Sequence, residues 1–267
     1  MKNYSKEHKK YLKNARLKTF SIIIIQILIL VLFLFGWEVL TKKGVLDGYL
    51  FSSPSKIWAT LKDLYKSGEL LKHSMITFKE TLSAFLIATS IGFLVAVLLW
   101  YNEYIRRILE PYIVVLNSLP KIALGPIIIV WMGAGNKAIV TMGILIVIIV
   151  TIINILTAFL NTDKNIIATM EAMGANKLQV FLKCVLPSSL PDLVSTLKIN
   201  VGLSWIGAIM GEYLVSKAGL GYLLIYGGQV FDLNLVMTST IVLCALATIM
   251  YFAVAIIEKF VRKSRGQ

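Results

Sequence analysis

Few residues in this 267-residue chain stand where catalysis could use them. The two histidines, His8 and His73, are far apart, and Cys184 and Cys244 lie in or beside apolar runs. None has metal-ligand or redox spacing, so the cysteines read as small packed hydrophobes. No Gly-x-x-x-x-Gly-Lys-Ser/Thr loop is present to cradle nucleotide phosphates, and no Gly-x-Ser-x-Gly elbow holds a nucleophile. The inventory points away from an enzyme, and no cofactor or metal is expected. Ionisable residues within apolar segments normally mark function. Here Glu38, Lys79-Glu80, Lys198 and Glu212 stay near segment ends, with no proton relay across a membrane midplane.

The polar residues that could act on a passing solute form stripes. Thr196, Asn200, Ser204, Gly207, Ala208 and Gly211 recur at spacings of three and four, and Thr151, Asn154, Thr157 or Ala158, and Asn161 form a second row. Such rows line a passage or pack helices closely, since small and hydroxylated residues serve both. Asn154 and Asn200 offer more hydrogen-bonding groups than packing needs. A third feature is the 163–191 segment, DKNIIATMEAMGANKLQVFLKCVLPSSLP, polar and amphipathic between apolar runs. Ile166, Ile167, Met170 and Met173 share one helix face. Gly174 suits that helix's end and Asn176 the start of a second over Lys177–Val185. Pro187 is expected to stop the second, and Pro191 to open the next span. A short helix–turn–helix on the membrane surface is either built to touch a partner or folded onto its own bundle.

The elements that position these residues follow from composition. The chain is 57% hydrophobic and 15% charged, against about a quarter charged in soluble domains, so it is an integral membrane protein. Its net charge of +13 sits mainly at the edges of apolar runs, which fits membrane anchoring and not nucleic acid. Six segments suffice to cross a bilayer: about 19–40, 76–99, 110–132, 138–160, 191–212 and 235–257. The first has a core longer than a signal peptide's and no small-residue cleavage site. The third contains Pro120, Lys121 and Pro126, so it should be kinked or broken and is a pathway candidate.

An all-α membrane protein with six spans results, having both termini cytoplasmic. Residues 1–18 and 259–267 are basic tails and 19–258 the membrane domain, with an inner loop over 163–190. Residues 41–75 oppose this with six lysines, partly offset by Asp47, Asp63 and Glu69. Within that outer segment, Ser53-Pro54-Ser55 should open a short surface helix.

Specific motifs give a resemblance. Gly174, Leu186 and Pro187 match the spacing of the signature loop in permease subunits of binding-protein-dependent ABC importers. Cys184 replaces that pattern's Ile, and Ala168, Thr169 and Met170 occupy its Glu-Ala-Ala positions. The motif's glutamate is absent, since Glu171 lies one place later. Leu119-Pro120-Lys121-Ile122-Ala123-Leu124-Gly125-Pro126 with Trp131-Met132-Gly133-Ala134-Gly135 is similar to the third-span signature of nitrate/sulfonate/taurine-type permeases. So are Leu203-Ser204-Trp205, Gly211-Glu212-Tyr213-Leu214 and Gly219-Leu220-Gly221-Tyr222-Leu223, with Ser52-Ser53-Pro54-Ser55 at the entry to the outer helix.

The resemblance implies a type I importer fold, two cytoplasmic ATP-binding subunits and an extracellular substrate-binding protein. It places ATPase coupling on Ala168, Thr169, Met170, Gly174, Ala175 and Asn176. Two permeases are then needed, either as a homodimer or with a paralogue, and the third and fifth spans should face their two-fold axis. Asn117, Lys121, Asn200, Ser204 and Trp205 are the pathway candidates. Lys121 either favours an anion such as a sulfonate or nitrate, or snorkels to the interface. Trp205 suits a planar, vitamin-like ring or simple packing. A stand-alone channel or secondary carrier is the alternative.

Overall fold

The structure is a computed structural model describing residues 6–264; the tips of both basic tails, 1–5 and 265–267, lie outside the described residues. All regular structure among them is helical. Helix α1 (Lys6–Lys42) is followed by α2 (Pro54–Lys66), α3 (Glu69–Tyr101) and α4 (Glu103–Ser118). A 3₁₀ turn (Lys121–Leu124) leads into α5 (Gly125–Met132), then α6 (Asn136–Leu160), α7 (Lys164–Ala172) and α8 (Lys177–Val180). A π-helical turn (Phe181–Val185) joins α8 to α9 (Leu186–Val215), and α10 (Leu220–Gln229) and α11 (Leu233–Ser264) complete the chain.

Among the described residues, five helical stretches are long and apolar enough to cross a membrane, and a bent pair makes six when it is counted as one span. That pair, α4 with Lys121–Met132, turns by 86° at its break. Pro120 causes the turn, because proline drives the preceding residue out of the helical region; Leu119 is extended at ψ 137. Pro126 does not break the chain, since it occupies the first turn of α5, where no N–H is needed. Local caps fix other starts. Ser53 accepts from the Lys56 N–H at 3.3 Å to open α2, and Asn102 from the Ile105 N–H at 3.1 Å to open α4.

One expectation is corrected. Pro187 does not stop the second loop helix, and Pro191 does not begin a new one. Residues Lys177–Val215 run as one helical stretch of 39 residues, with Pro187 in the first turn of α9 and Pro191 inside it. The π turn makes this possible. The Leu186 N–H reaches back to the Phe181 carbonyl, and the widened turn relieves the ladder into which proline, lacking an N–H, could not fit.

The core is the packing of α3, α6 and α9, and small residues set its spacing. A Cβ added to Gly207 would lie 2.5 Å from the Gly143 Cα, and one on Gly211 2.8 Å from the Ile139 Cα. A Cβ on Gly143 would meet that of Ala84 at 2.6 Å, and one on Gly92 the Thr151 Cγ2 at 2.7 Å. Lipid offers no hydrophobic drive between helices, so such close backbone approach supplies the dispersion contacts that hold them. Phe85, Val201, Trp205, Leu220, Leu223 and Leu243 build a further cluster where α10 and α11 join this core. Helix α1 stands apart. Its apolar run is exposed from Phe20 to Phe35, and its far end is tied to the α2 entry by Glu38, which accepts from the Ser55 N–H at 3.0 Å.

Gly207→Val should therefore cost about 3 kcal/mol or more, seen as a lowered melting temperature of the detergent-solubilised protein. Gly228→Ala, on α10 with open space around it, should melt like wild type.

Candidate functional site

Two regions carry the residues of functional interest, and they lie at different depths of the bundle. The first is the 163–190 loop. Asp163 caps α7 by accepting from the Asn165 N–H at 2.8 Å. At its other end Gly174 takes φ +85, a left-handed conformation that side chains disfavour. The Gly174 N–H bonds the Glu171 carbonyl at 2.9 Å and the Ala175 N–H bonds that of Met170 at 3.0 Å, closing the helix end. Asn176 then opens α8 with a full capping box. Its Oδ1 accepts from the Gln179 N–H and the Gln179 Oε1 from its own N–H, both at 2.9 Å.

This turn has two faces. Ile167, Met170 and Ala175 pack inward on a cluster containing Ile155, Phe159, Val180 and Phe181. Phe181 lies 5.0 Å from the Trp100 ring and 5.3 Å from that of Phe159, which locks the loop to α3 and α6. Ala168, Thr169, Gly174 and Asn176 are exposed on the opposite side. Of the four residues expected on one helix face, Ile166 is exposed and Met173 projects outward with 83% of its surface free. It ends the helix in a non-helical conformation, so the helical period no longer governs where it points. Of the six coupling candidates, four are therefore presented outward and Met170 and Ala175 brace them.

The second region is the set of pathway candidates, and the structure does not bring them together. Asn117 is exposed and Lys121 half-buried at the 86° break. The Lys121 Nζ lies 3.3 Å from the Asn117 carbonyl and 3.4 Å from its Oδ1. The ammonium thus sits at the carboxyl end of α4, where orphaned carbonyls and the helix dipole favour a cation. Asn200, Ser204 and Trp205 are buried inside the α3–α6–α9 core instead. The Asn200 Nδ2 donates to the Thr89 Oγ1 at 3.0 Å, and the Ser204 hydroxyl to the Asn200 carbonyl at 2.7 Å. In this conformation the fifth-span stripe is packing surface. The outward line of α9 is formed by Ser195, Ile199, Gly202 and Ile206. In the fourth span Thr151 is likewise buried against α3, Asn154 is half-buried, and Thr157 and Asn161 are exposed.

A third polar site went unread in the sequence. The amino terminus of α10 is seated by side chains from α3 and α9. The Gly219 N–H donates to the His73 Nδ1 and the Leu220 N–H to the Thr77 Oγ1, both at 2.8 Å. The Gly221 and Tyr222 N–H groups donate to the Glu212 Oε2 at 2.6 and 3.3 Å. Gly219-Leu220-Gly221 and Glu212 stood in recognisable motifs, but sequence could not show that they meet.

Comparison with known proteins decides what this arrangement belongs to. Residues 88–263 match the family described as binding-protein-dependent transport system inner membrane component. The chain belongs to that family. It is 28% identical to a probable ABC transporter permease protein of Haemophilus influenzae, over 85% of this chain and 92% of that one. A putative aliphatic sulfonates transport permease of Bacillus subtilis is 24% identical over 86% of this chain and 83% of its own length. A formylaminopyrimidine transport permease of Halalkalibacterium halodurans is 30% identical over 70% and 74%. The fold is similar to that of the inward-facing MetNI methionine ABC transporter, with a TM-score of 0.65 and 23% identity, covering 73% of this chain and 97% of that chain. This permease is thus a multi-pass membrane subunit of an ABC importer.

Asn176→Ala should remove one arm of the capping box and cost about 1 kcal/mol locally. Amide exchange should quicken over α8 while the α3–α6–α9 amides keep their protection.

Proposed function

We propose that this permease carries a small solute, delivered by an extracellular binding protein, through a homodimer driven by two cytoplasmic ATP-binding subunits, and performs no chemistry itself. The observation that carries the reading is the two-faced turn at Gly174. Its outer face offers Ala168, Thr169, Met173, Gly174 and Asn176 for docking in a cleft, while Met170 and Ala175 rest on the aromatic cluster around Phe181. A surface braced this way moves with its bundle as a unit, as coupling to a distant hydrolysis event requires. The family's motif glutamate is replaced by Ala168, so docking on this chain rests on shape and apolar contact rather than an ion pair.

Both termini and the 163–190 loop face the cytoplasm, in keeping with their basic residues. The exposed line Ser195, Ile199, Gly202 and Ile206 on α9, together with the unburied α4, faces the partner permease across the two-fold axis. Asn117 and Lys121 lie at the broken span beside the path. Asn200, Ser204 and Trp205 support it from within the core. A sulfonate-like anion and a vitamin-precursor ring are the two cargo classes in view, since similar permeases bear names of both kinds. Lys121 favours the anion, although its contacts with Asn117 already occupy its ammonium.

Gly174→Val places a β-branched residue at φ +85, a strain of about 1–3 kcal/mol. The variant should reach the membrane at wild-type level and lose most ATP-driven uptake while hydrolysis continues; normal uptake would refute the coupling role. Lys121→Gln should lower uptake of an aliphatic sulfonate severalfold if the ammonium guides an anion, and unchanged uptake would leave it a helix cap. Purification in mild detergent followed by mass determination should return two copies of this chain, whereas one copy beside a different permease would contradict the homodimer.

A further inference from the structure

The seat of α10 contains more buried acid than its hydrogen bonds explain. Glu212 and Glu80 are 1% and 3% exposed, and their carboxyl groups reach one another between α9 and α3. The Glu212 charge is compensated through Oε2, which receives two N–H groups at the positive end of α10. Among the described residues its Oε1 meets no donor, and neither oxygen of Glu80 does. The Thr77 hydroxyl is shared between the His73 carbonyl, at 3.2 Å, and the Glu212 carboxylate, and the Gly219 N–H is taken by the His73 Nδ1. Lys72, Lys79 and Lys217, the cations nearest in sequence, are exposed. Two bare carboxylates without a cation or donor between them among the described residues are not stable at such burial.

We propose that Glu80 and Glu212 form a proton-binding site, in which a carboxylic acid on Glu80 donates its O–H to the Oε1 of ionised Glu212 and latches α10 onto α3 and α9. One added proton supplies the missing donor and leaves the pair with the single negative charge that α10 already balances. The space favours a proton over a hydrated ion. A Cβ on Gly221 would lie 2.8 Å from the Glu212 Oε2, and one on Gly219 would overlap the carboxylate outright. Release of the proton sets two carboxylates against each other and loosens α10 from α3. The seat is at the end of the bundle remote from the coupling turn, so on the orientation proposed above the proton comes from outside the cell.

Other titratable groups of the seat are His73 on α3, Tyr222 on α10, stacked at 6.1 Å from His73, and half-buried Tyr213 on α9. His73 charges on the acid side, so the test runs from neutral to alkaline pH, with Tyr213→Phe and Tyr222→Phe in every background. In nanodiscs, the amides of 219–222 should lose protection by up to about tenfold per pH unit beyond the intrinsic rate once the proton leaves. Glu80→Gln, whose amide donates at any pH, should hold protection constant. An infrared carbonyl band of a buried carboxylic acid should be present in wild type and absent in Glu80→Gln. A wild type without that band, or protection that falls equally in Glu80→Gln, overturns the proposal. Should Glu80→Gln fail to fold, the wild-type band and its loss at alkaline pH decide alone. Neither readout involves transport or sidedness, so a wrong orientation or a failed coupling test leaves both standing.

Discussion

The close approach of α9 to α6 at Gly207 and Gly143 is the constraint on which the rest depends. Two glycines face each other so tightly that a single methyl would collide with backbone. In water, burial of apolar surface would hold helices together without such contact. In lipid it does not, so the three central helices must touch along their small-residue rows to stay associated. Once α3, α6 and α9 are fixed in this way, Phe159 and Trp100 are placed to receive Phe181, and His73 and Thr77 to receive α10. What the triad does not cover is equally informative. Helix α1 between Phe20 and Phe35, and α4 along its length, have almost no cover from the rest of the chain. Their exposed apolar residues are left to lipid or, as proposed above, to a second permease.

The unbroken helical stretch from Lys177 to Val215 connects the two ends of the molecule. Its 39 residues make a rod of roughly 58 Å. One end is capped at Asn176 in the loop and the other bears Glu212 under α10. A π turn and two prolines lie in the segment nearest the loop, which is where such a rod bends most readily. On the coupling role proposed above, displacement of the loop would tilt α9 without remaking the capping box or the α10 seat.

The sequence made the spans and the loop legible because both depend on local patterns. Apolar length fixed the membrane helices, Pro120 the broken span, and Gly174 and Asn176 the loop turn. Continuity through Pro187 was not legible, because a π turn leaves no propensity signature. The stripe of Thr196, Asn200 and Ser204 shows the same limit from another side. Its spacing says that one face is polar, while only the neighbours of that face decide between a wet passage and a dry contact, and here they are α3 and α6. The Glu212 seat was hidden for a related reason: the partners His73 and Thr77 come from far away in the chain.

Dependence on partners is the central claim, and flux into sealed vesicles tests it most directly. Proteoliposomes would hold this permease alone, or with its ATP-binding subunit and binding protein, and uptake of the ligand recovered from that binding protein would be followed. Accumulation should appear only when all three components and internal ATP are present. Ligand flux through vesicles containing this chain alone, without ATP, would contradict the account and establish a stand-alone channel or carrier.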